Sequence, residues 1–376
     1  MFTSLTTHNL HFHEDASIFS CASKNNLLAT GGGDTAIRIW KLEYTKKSPE
    51  FNYYTSLNSP LKITYMYTLS GHTKTINSLE FTDEHLLSSS DAGEVFLWPI
   101  DKFEENKYYK IRGADGDEAI VALMLDKFVY VGMKSGQLYI YELIYQESVD
   151  INDDVPIQDS FTNENEKESM VNNESKIKKV KVTLLSKENT PFKVKLVKTL
   201  KLHSDSIQGM CINQKHSILF TQSKDKSMKT VDLLNHKVIN TLYINKLITE
   251  NTALKEQFKE EIKFEFSDRS FFKKCIFIDD TLYLTNVSIN KKNVLISLEY
   301  PYRTIAQVVG IFNWPVQRIL KLKDTLVLCT LKSIYILKNK CEMISNVGYG
   351  AMTDGCLIDE GIIFSNTDGF MYSLML

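Results

Sequence analysis

No run of apolar residues in this 376-residue chain reaches the roughly 18 that a membrane-crossing helix needs. The N-terminus also lacks the charged-then-apolar leader of a secreted protein. The chain is therefore expected to be soluble, not exported by the ordinary route, and without a membrane partner. Net positive charge is missing as well: 44 Lys and Arg stand against 46 Asp and Glu, a formal charge of -2. Such a balance gives no broad basic field for gripping nucleic acid. Direct sequence-specific DNA binding is not expected, and any link to DNA should run through partners or local patches.

Cysteine is sparse. Cys21, Cys211, Cys275, Cys329, Cys341 and Cys356 are scattered, mostly in apolar runs, with no pair at metal-ligand or redox spacing. They read as small buried hydrophobes in a reducing compartment. His8, His11 and His13 lie close together, and His11 and His13 share one face of an extended strand, as a zinc pair would. No Cys or carboxylate cluster completes four ligands, so the polar face of an edge strand is the better reading. Catalytic signatures are missing too: there is no phosphate loop, no His-Glu-x-x-His and no Gly-x-Ser-x-Gly. Gly31-Gly32-Gly33 leads into a strand and so cannot set a helix N-terminus under a phosphate. Neither an enzyme, a cofactor nor a metal is expected.

What is present is apolar content of 43%, enough for a sizeable core, arranged almost without helical periodicity. Apolar runs of four to seven residues, rich in β-branched and aromatic types, recur between polar or Gly-containing turns, the pattern of an all-β protein. The clearest unit starts at His13, with strands at 18–22, 27–30 and 36–42 and a turn at 31–35. A second starts at Gly71-His72, with strands at 76–81, 86–89 and 95–98 and a turn at 91–93. Gly-His openings and Trp-ended strands at this spacing are the signature of WD40 blades, each of four strands. Further blades are read at 120–143, where Gly113-Ala114 replaces Gly-His, and at 203–233. Degenerate ones follow at 272–298 and 316–337, and a seventh at 351–376. That last blade has no fourth strand, and residues 4–12 are expected to supply it, closing a seven-bladed β-propeller.

The residue types have a physical reason. Asp34 can accept from turn amides and from His13, while Thr30 can bridge His13 to the Trp40 indole. The network His13, Thr30, Asp34 and Trp40, with His72, Trp98, His203, Asp225 and Asp368 elsewhere, is read as structural, pinning loops to the strands beneath. Two insertions interrupt the repeat. Residues 147–189, acidic and then basic through 176–181, read as a mostly disordered loop between the third and fourth strands of blade three. In 245–270, Leu247, Leu254, Phe258 and Ile262 recur at helical spacing, which predicts a short amphipathic helix before blade five. The basic clusters at 176–181 and Lys291-Lys292 read as solvated loops, the first doubling as a nuclear import signal.

Segments between the repeats carry a resemblance. Residues 28–34 and 37–42, His72-Thr73-Lys74-Thr75-Ile76-Asn77, 203–209 and 221–227 resemble the propeller subunit of chromatin assembly factor 1. Residues 364–370 do so too. Ser270-Phe271-Phe272-Lys273-Lys274 is similar to a run found in that family and in HIR-type histone chaperone propellers. The resemblance implies a nuclear, non-catalytic scaffold that joins a large subunit and a second, histone-binding WD40 subunit to deposit H3–H4 on newly replicated DNA. Histone contact would be mostly indirect. The Gly-His lost in blade three, and a short motif for another H3–H4 chaperone not found after Leu376, depart from the pattern. Phe272, Lys273 and Lys274, with Arg38 and Gln208 from the resembling segments, are the candidate partner contacts. The alternative is a generic WD40 interaction scaffold: a HIR-type chaperone, a ribosome assembly factor or a ubiquitin ligase receptor.

Overall fold

The computed structural model describes residues 4–8, 13–44, 61–145, 191–249, 264–266, 275–303, 305–338 and 341–376. Their strands form seven antiparallel sheets, each one blade. Blade one holds β2 (Ile18–Lys24), β3 (Leu27–Gly32), β4 (Ile37–Tyr44) and β5 (Leu61–Leu69). Blade two holds β6 (Ile76–Phe81), β7 (His85–Ser90), β8 (Val95–Pro99) and β9 (Tyr109–Arg112). Blade three holds β10 (Ala119–Leu125), β11 (Phe128–Met133), β12 (Gln137–Tyr145) and β13 (Phe192–Lys201). Blade four holds β14 (Ile207–Asn213), β15 (Ile218–Ser223), β16 (Ser227–Asp232) and β17 (Lys237–Tyr243).

Blade five is built differently. Its inner edge is made of two short pieces, β18 (Phe264–Phe266) and β19 (Ile276–Ile278), which pair with opposite ends of β20 (Thr281–Ile289). β21 (Lys292–Leu298) and β22 (Ile305–Phe312) follow. The strand read at 272–278 is thus β19 over its described part, and β18 comes from within the insertion. That insertion opens with a helix, α1 (Ile244–Thr249). Leu254, Phe258 and Ile262 lie outside the described residues, as do 146–190 between β12 and β13. At the edges of that last segment the rings of Tyr145 and Phe192 meet edge to face at 5.6 Å.

Blade six holds β23 (Val316–Leu322), β24 (Thr325–Thr330), β25 (Ser333–Leu337) and β26 (Cys341–Ser345). Blade seven takes β27 (Met352–Ile358), β28 (Gly361–Asn366) and β29 (Met371–Met375), with β1 (Ser4–His8) as its outer strand. β1 pairs with β29 from Ser4↔Met375 to His8↔Met371, so the first strand in sequence closes the ring. His8 Nε2 reaches Ser373 Oγ at 2.8 Å, which makes this histidine part of the closure.

The core sits in the seams between blades. Ile37, Ile39, Leu79, Phe96 and Trp98 join blades one and two in one cluster, and Leu138, Ile140, Leu219 and Val231 join blades three and four. Alternation along each strand delivers these side chains to the neighbouring blade. Two glycines show how close the seams are. A Cβ on Gly31 would meet Ile76 Cγ2 at 2.8 Å, and one on Gly132 would meet Ile207 Cγ2 at 2.8 Å.

Candidate partner-binding surfaces

Three blades tie a loop histidine to their strands by the same device. In blade one, His13 Nδ1 faces Asp34 Oδ1 at 2.7 Å and Nε2 faces Thr30 Oγ1 at 2.9 Å. The Trp40 indole N–H donates to that same Thr30 oxygen at 2.9 Å. Arg38 Nη1 lies 2.7 Å from the same Nδ1, so imidazole, carboxylate and guanidinium form one cluster. Burial pushes His13 below the usual imidazole range, against the pull of Asp34. Burial pushes the other way on Asp34, but its bonds to His13 and Arg38 hold it below the usual carboxylate range. The structure thus brings His13, Thr30, Asp34 and Trp40 together. It also places Arg38, a candidate partner contact, against Asp34, with its side chain 13% exposed.

Blade four repeats the device: His203 Nδ1 faces Asp225 Oδ2 at 3.1 Å and Nε2 faces Thr221 Oγ1 at 2.9 Å. Val231 occupies the place of the tryptophan, ten residues after Thr221 as Trp40 is after Thr30. Burial lowers His203 to about 4. Blade two substitutes one acid for another. Four residues after Ser88, where an aspartate would stand, is Ala92. Glu94, two residues further on, reaches His72 Nδ1 at 3.2 Å and accepts from Thr73 N–H at 2.9 Å. Burial alone would raise Glu94, yet these bonds hold it at about 2. His72 Nε2 and the Trp98 indole N–H both meet Ser88 Oγ, at 2.6 and 2.8 Å. Glu94 is not among the residues read from the sequence; the turn acid three residues before it, Asp91, accepts from Asn77 Nδ2 at 2.8 Å. The only signal was the alanine at the aspartate position. In blade seven, which has no such histidine, Asp368 accepts from the Gly350 amide.

The inner strands carry a second relay. Each has a β-bulge near its start in six blades, and the residue after it faces the next blade. Ser20 accepts from Leu79 N–H at 3.0 Å, Ser78 from Ala122 N–H at 3.1 Å, and Asp354 from Cys21 N–H at 3.2 Å. Such caps satisfy inner-edge amides that no strand pairs. The relay stops at blade three, where the equivalent residue is Val121, and at blade four, where it is Gly209. Arg318 instead donates to Gly355 O at 3.1 Å and lies 3.5 Å from Asp354. Glu80 accepts from Met124 N–H at 3.0 Å. Burial raises it to about 7, against the pull of that bond and of Arg318.

These side chains surround a cavity of about 130 Å³, lined among others by Glu80, Arg318, Asp354 and Gln208. Gln208, a candidate partner contact, turns a buried Oε1 into this region with no hydrogen-bond partner, and the fully buried Gln222 leaves both its amide atoms unpaired. Phe272, Lys273 and Lys274 lie outside the described residues. Among the described residues no group of three or more His, Cys, Asp or Glu is placed to hold a metal. No described helix is long and apolar enough to cross a membrane.

Comparison with known proteins follows the same lines. Residues 4–41 and 63–99 match the WD domain, G-beta repeat family. The chain is 30% identical over 112 residues to Cell division control protein 4 of Saccharomyces cerevisiae, covering 29% of this chain and 14% of that protein. It is 33% identical over 99 residues to the B-type subunit of Chromatin assembly factor 1 from Schizosaccharomyces pombe (24% and 17% covered). To the same component from Gallus gallus it is 32% identical over 84 residues (22% and 13% covered). The matched part therefore spans less than a fifth of each curated relative. Among solved structures, the WD40 β-propeller domain of Doa1 superposes with a TM-score of 0.60 at 14% identity, covering 99% of this chain and 97% of that one. The computationally designed Ika8 protein gives 0.54 at 12% identity, with 96% and 97% covered. Matched repeats, the ring of blades and these superpositions together make the chain a seven-bladed WD40 β-propeller.

Proposed function

We propose that this propeller is a non-catalytic scaffold subunit of a chromatin assembly factor 1-like complex, supporting H3–H4 deposition on newly replicated DNA in the nucleus. The observation that carries the reading is the similarity to the B-type component of Chromatin assembly factor 1 in two distant organisms, 33% and 32% identical. A ring braced by buried polar networks presents loops on two faces without moving, which is what a subunit that positions others requires. In this reading the chain binds the large subunit and a second, histone-binding WD40 subunit, and meets H3–H4 through them. Phe272, Lys273 and Lys274 supply an apolar anchor beside two cations, with Arg38 and Gln208 as further contacts.

Affinity purification of the full chain from nuclear extract, with the bound proteins identified, tests the assignment. Recovery of the large subunit, the second propeller and H3–H4 is expected; a stable assembly without them overturns it. The match to Cell division control protein 4 favours the second reading, a general WD40 interaction scaffold in another assembly, and the same purification separates the two. The location of the contact is tested by a Lys273→Glu, Lys274→Glu double variant. It is expected to fold normally and lose the large subunit; wild-type capture at low and moderate salt rules this location out.

A further inference from the structure

Six of the sixteen large apolar side chains exposed among the described residues lie on β13 and β17, the outer strands of blades three and four: Val194, Leu196, Val197, Val238, Ile239 and Tyr243. β13 is the longer, at ten residues, and the outermost of its sheet. It therefore offers a row of backbone N–H and C=O groups that no strand pairs among the described residues. Side chains alternate along it, with Val194, Leu196 and Lys198 on one side and Lys195, Val197 and Thr199 on the other. Neither β13 nor β17 contains an acidic residue. Lys198 donates to His236 O at 2.8 Å, and Lys201 to Ser135 O. Both therefore bind carbonyls, which leaves their charge without a carboxylate.

Lysines on an edge strand often serve only to repel other strands. That role does not need three flanking apolar side chains standing 37%, 49% and 38% exposed, as Val194, Leu196 and Val197 do. We propose that β13 is a docking edge, joined by strand addition from an extended partner segment in which acidic and β-branched residues alternate. Main-chain hydrogen bonds give such a contact its affinity, and alternate side chains its selectivity. Carboxylates on the side of Lys195 complement its charge, while β-branched residues on the other side cover Val194 and Leu196. A second copy of this chain is the poorer occupant, because pairing β13 with itself sets lysine against lysine. The inference holds whichever complex the propeller joins.

The test uses the full chain and a synthetic, end-blocked ten-residue peptide alternating Glu and Val, labelled for fluorescence anisotropy. Saturable binding is expected, weakening with salt. A Lys195→Glu variant with an unchanged melting temperature should bind at least tenfold more weakly. The same peptide with Lys in place of Glu should not bind the wild-type chain, a control that needs no variant to fold. Hydrogen exchange should slow at β13 amides in the complex. No saturable binding, equal binding of both peptides, or wild-type affinity in Lys195→Glu overturns the proposal. So does sedimentation showing that copies already pair through this edge. Binding that appears only after residues 147–189 are replaced assigns the edge to this chain's own segment, and overturns the partner reading too.

Discussion

Blades two and six share one strand ladder and differ in what fills it. In blade two, Ser88 pairs with Leu79 across the sheet and receives both the His72 ring and the Trp98 indole. At the matching register of blade six, Leu328 pairs with Ile319, and Leu337 stands where the tryptophan would. Leu328 is fully buried and packs with Ile319, Leu295 and Tyr335 across the seam to blade five. The four-stranded blade is therefore set by alternation and seam packing alone. The polar network does something else: it ties the loop leading into a blade to that blade's strands, so a blade can dispense with it when the loop is held otherwise.

Breaking blade six should therefore cost most. Leu328→Ala removes buried apolar volume that the seam cannot refill, and should lower stability by about 2–5 kcal/mol in a chemical denaturation series. Breaking the networked side should cost less. Asp34→Ala leaves His13, Arg38 and a turn amide without their acceptor, an expected loss of about 1–3 kcal/mol. The melting temperature should fall with no selective loss of partner capture. Intact stability together with lost capture would turn this aspartate into a contact residue.

Acid sharpens the comparison further. His203 and His8 are held at about 4 by burial, below the roughly 6.5 of an unfolded histidine. Their contribution is therefore complete above pH 6.5 and is lost as the pH falls toward 4. The Tm should drop over that window, and less so in His203→Gln, whereas Leu328→Ala should show the wild-type slope. Glu80, raised to about 7, runs the opposite way. Its contribution is complete below the unfolded value near 4.5 and is lost as the pH rises through 7. Glu80→Gln should thus flatten the Tm profile between pH 5 and 8, with Arg318 the charged neighbour that modulates it. The smallest effect is expected from replacing residues 147–189 by a Gly-Ser linker of ~15 residues, a change within about 1 kcal/mol by loop-closure entropy. Aggregation of that variant would mean the segment covers apolar surface.

The ring was legible because alternation and turn spacing are local, and because His13, Thr30, Asp34 and Trp40 stand at fixed offsets that need no partner blade to interpret. The N-terminal outer strand followed from counting strands in blade seven. Glu94 was hidden because a longer acid two positions late reaches the same imidazole, a matter of side-chain length that spacing does not express. β18 was hidden because a three-residue strand carries no period. The unpaired Oε1 of Gln208 and the elevated Glu80 depend on six inner strands meeting, which no window along the chain contains. Residues 271–274, read as a contact from their resemblance to a family run, lie outside the described residues.

The pairing of β1 with β29 also sets a timetable. His8 and Ser373 are 365 positions apart, and at roughly 5–20 residues per second of synthesis the first waits about 20–70 s for the second to be made. During that interval the earlier blades can stack against their neighbours, while the opening strand hangs from blade one without a mate. On the ribosome this propeller is an open crescent with a loose clasp. Its most exposed moment falls just before β29 emerges, when five residues decide whether the circle shuts.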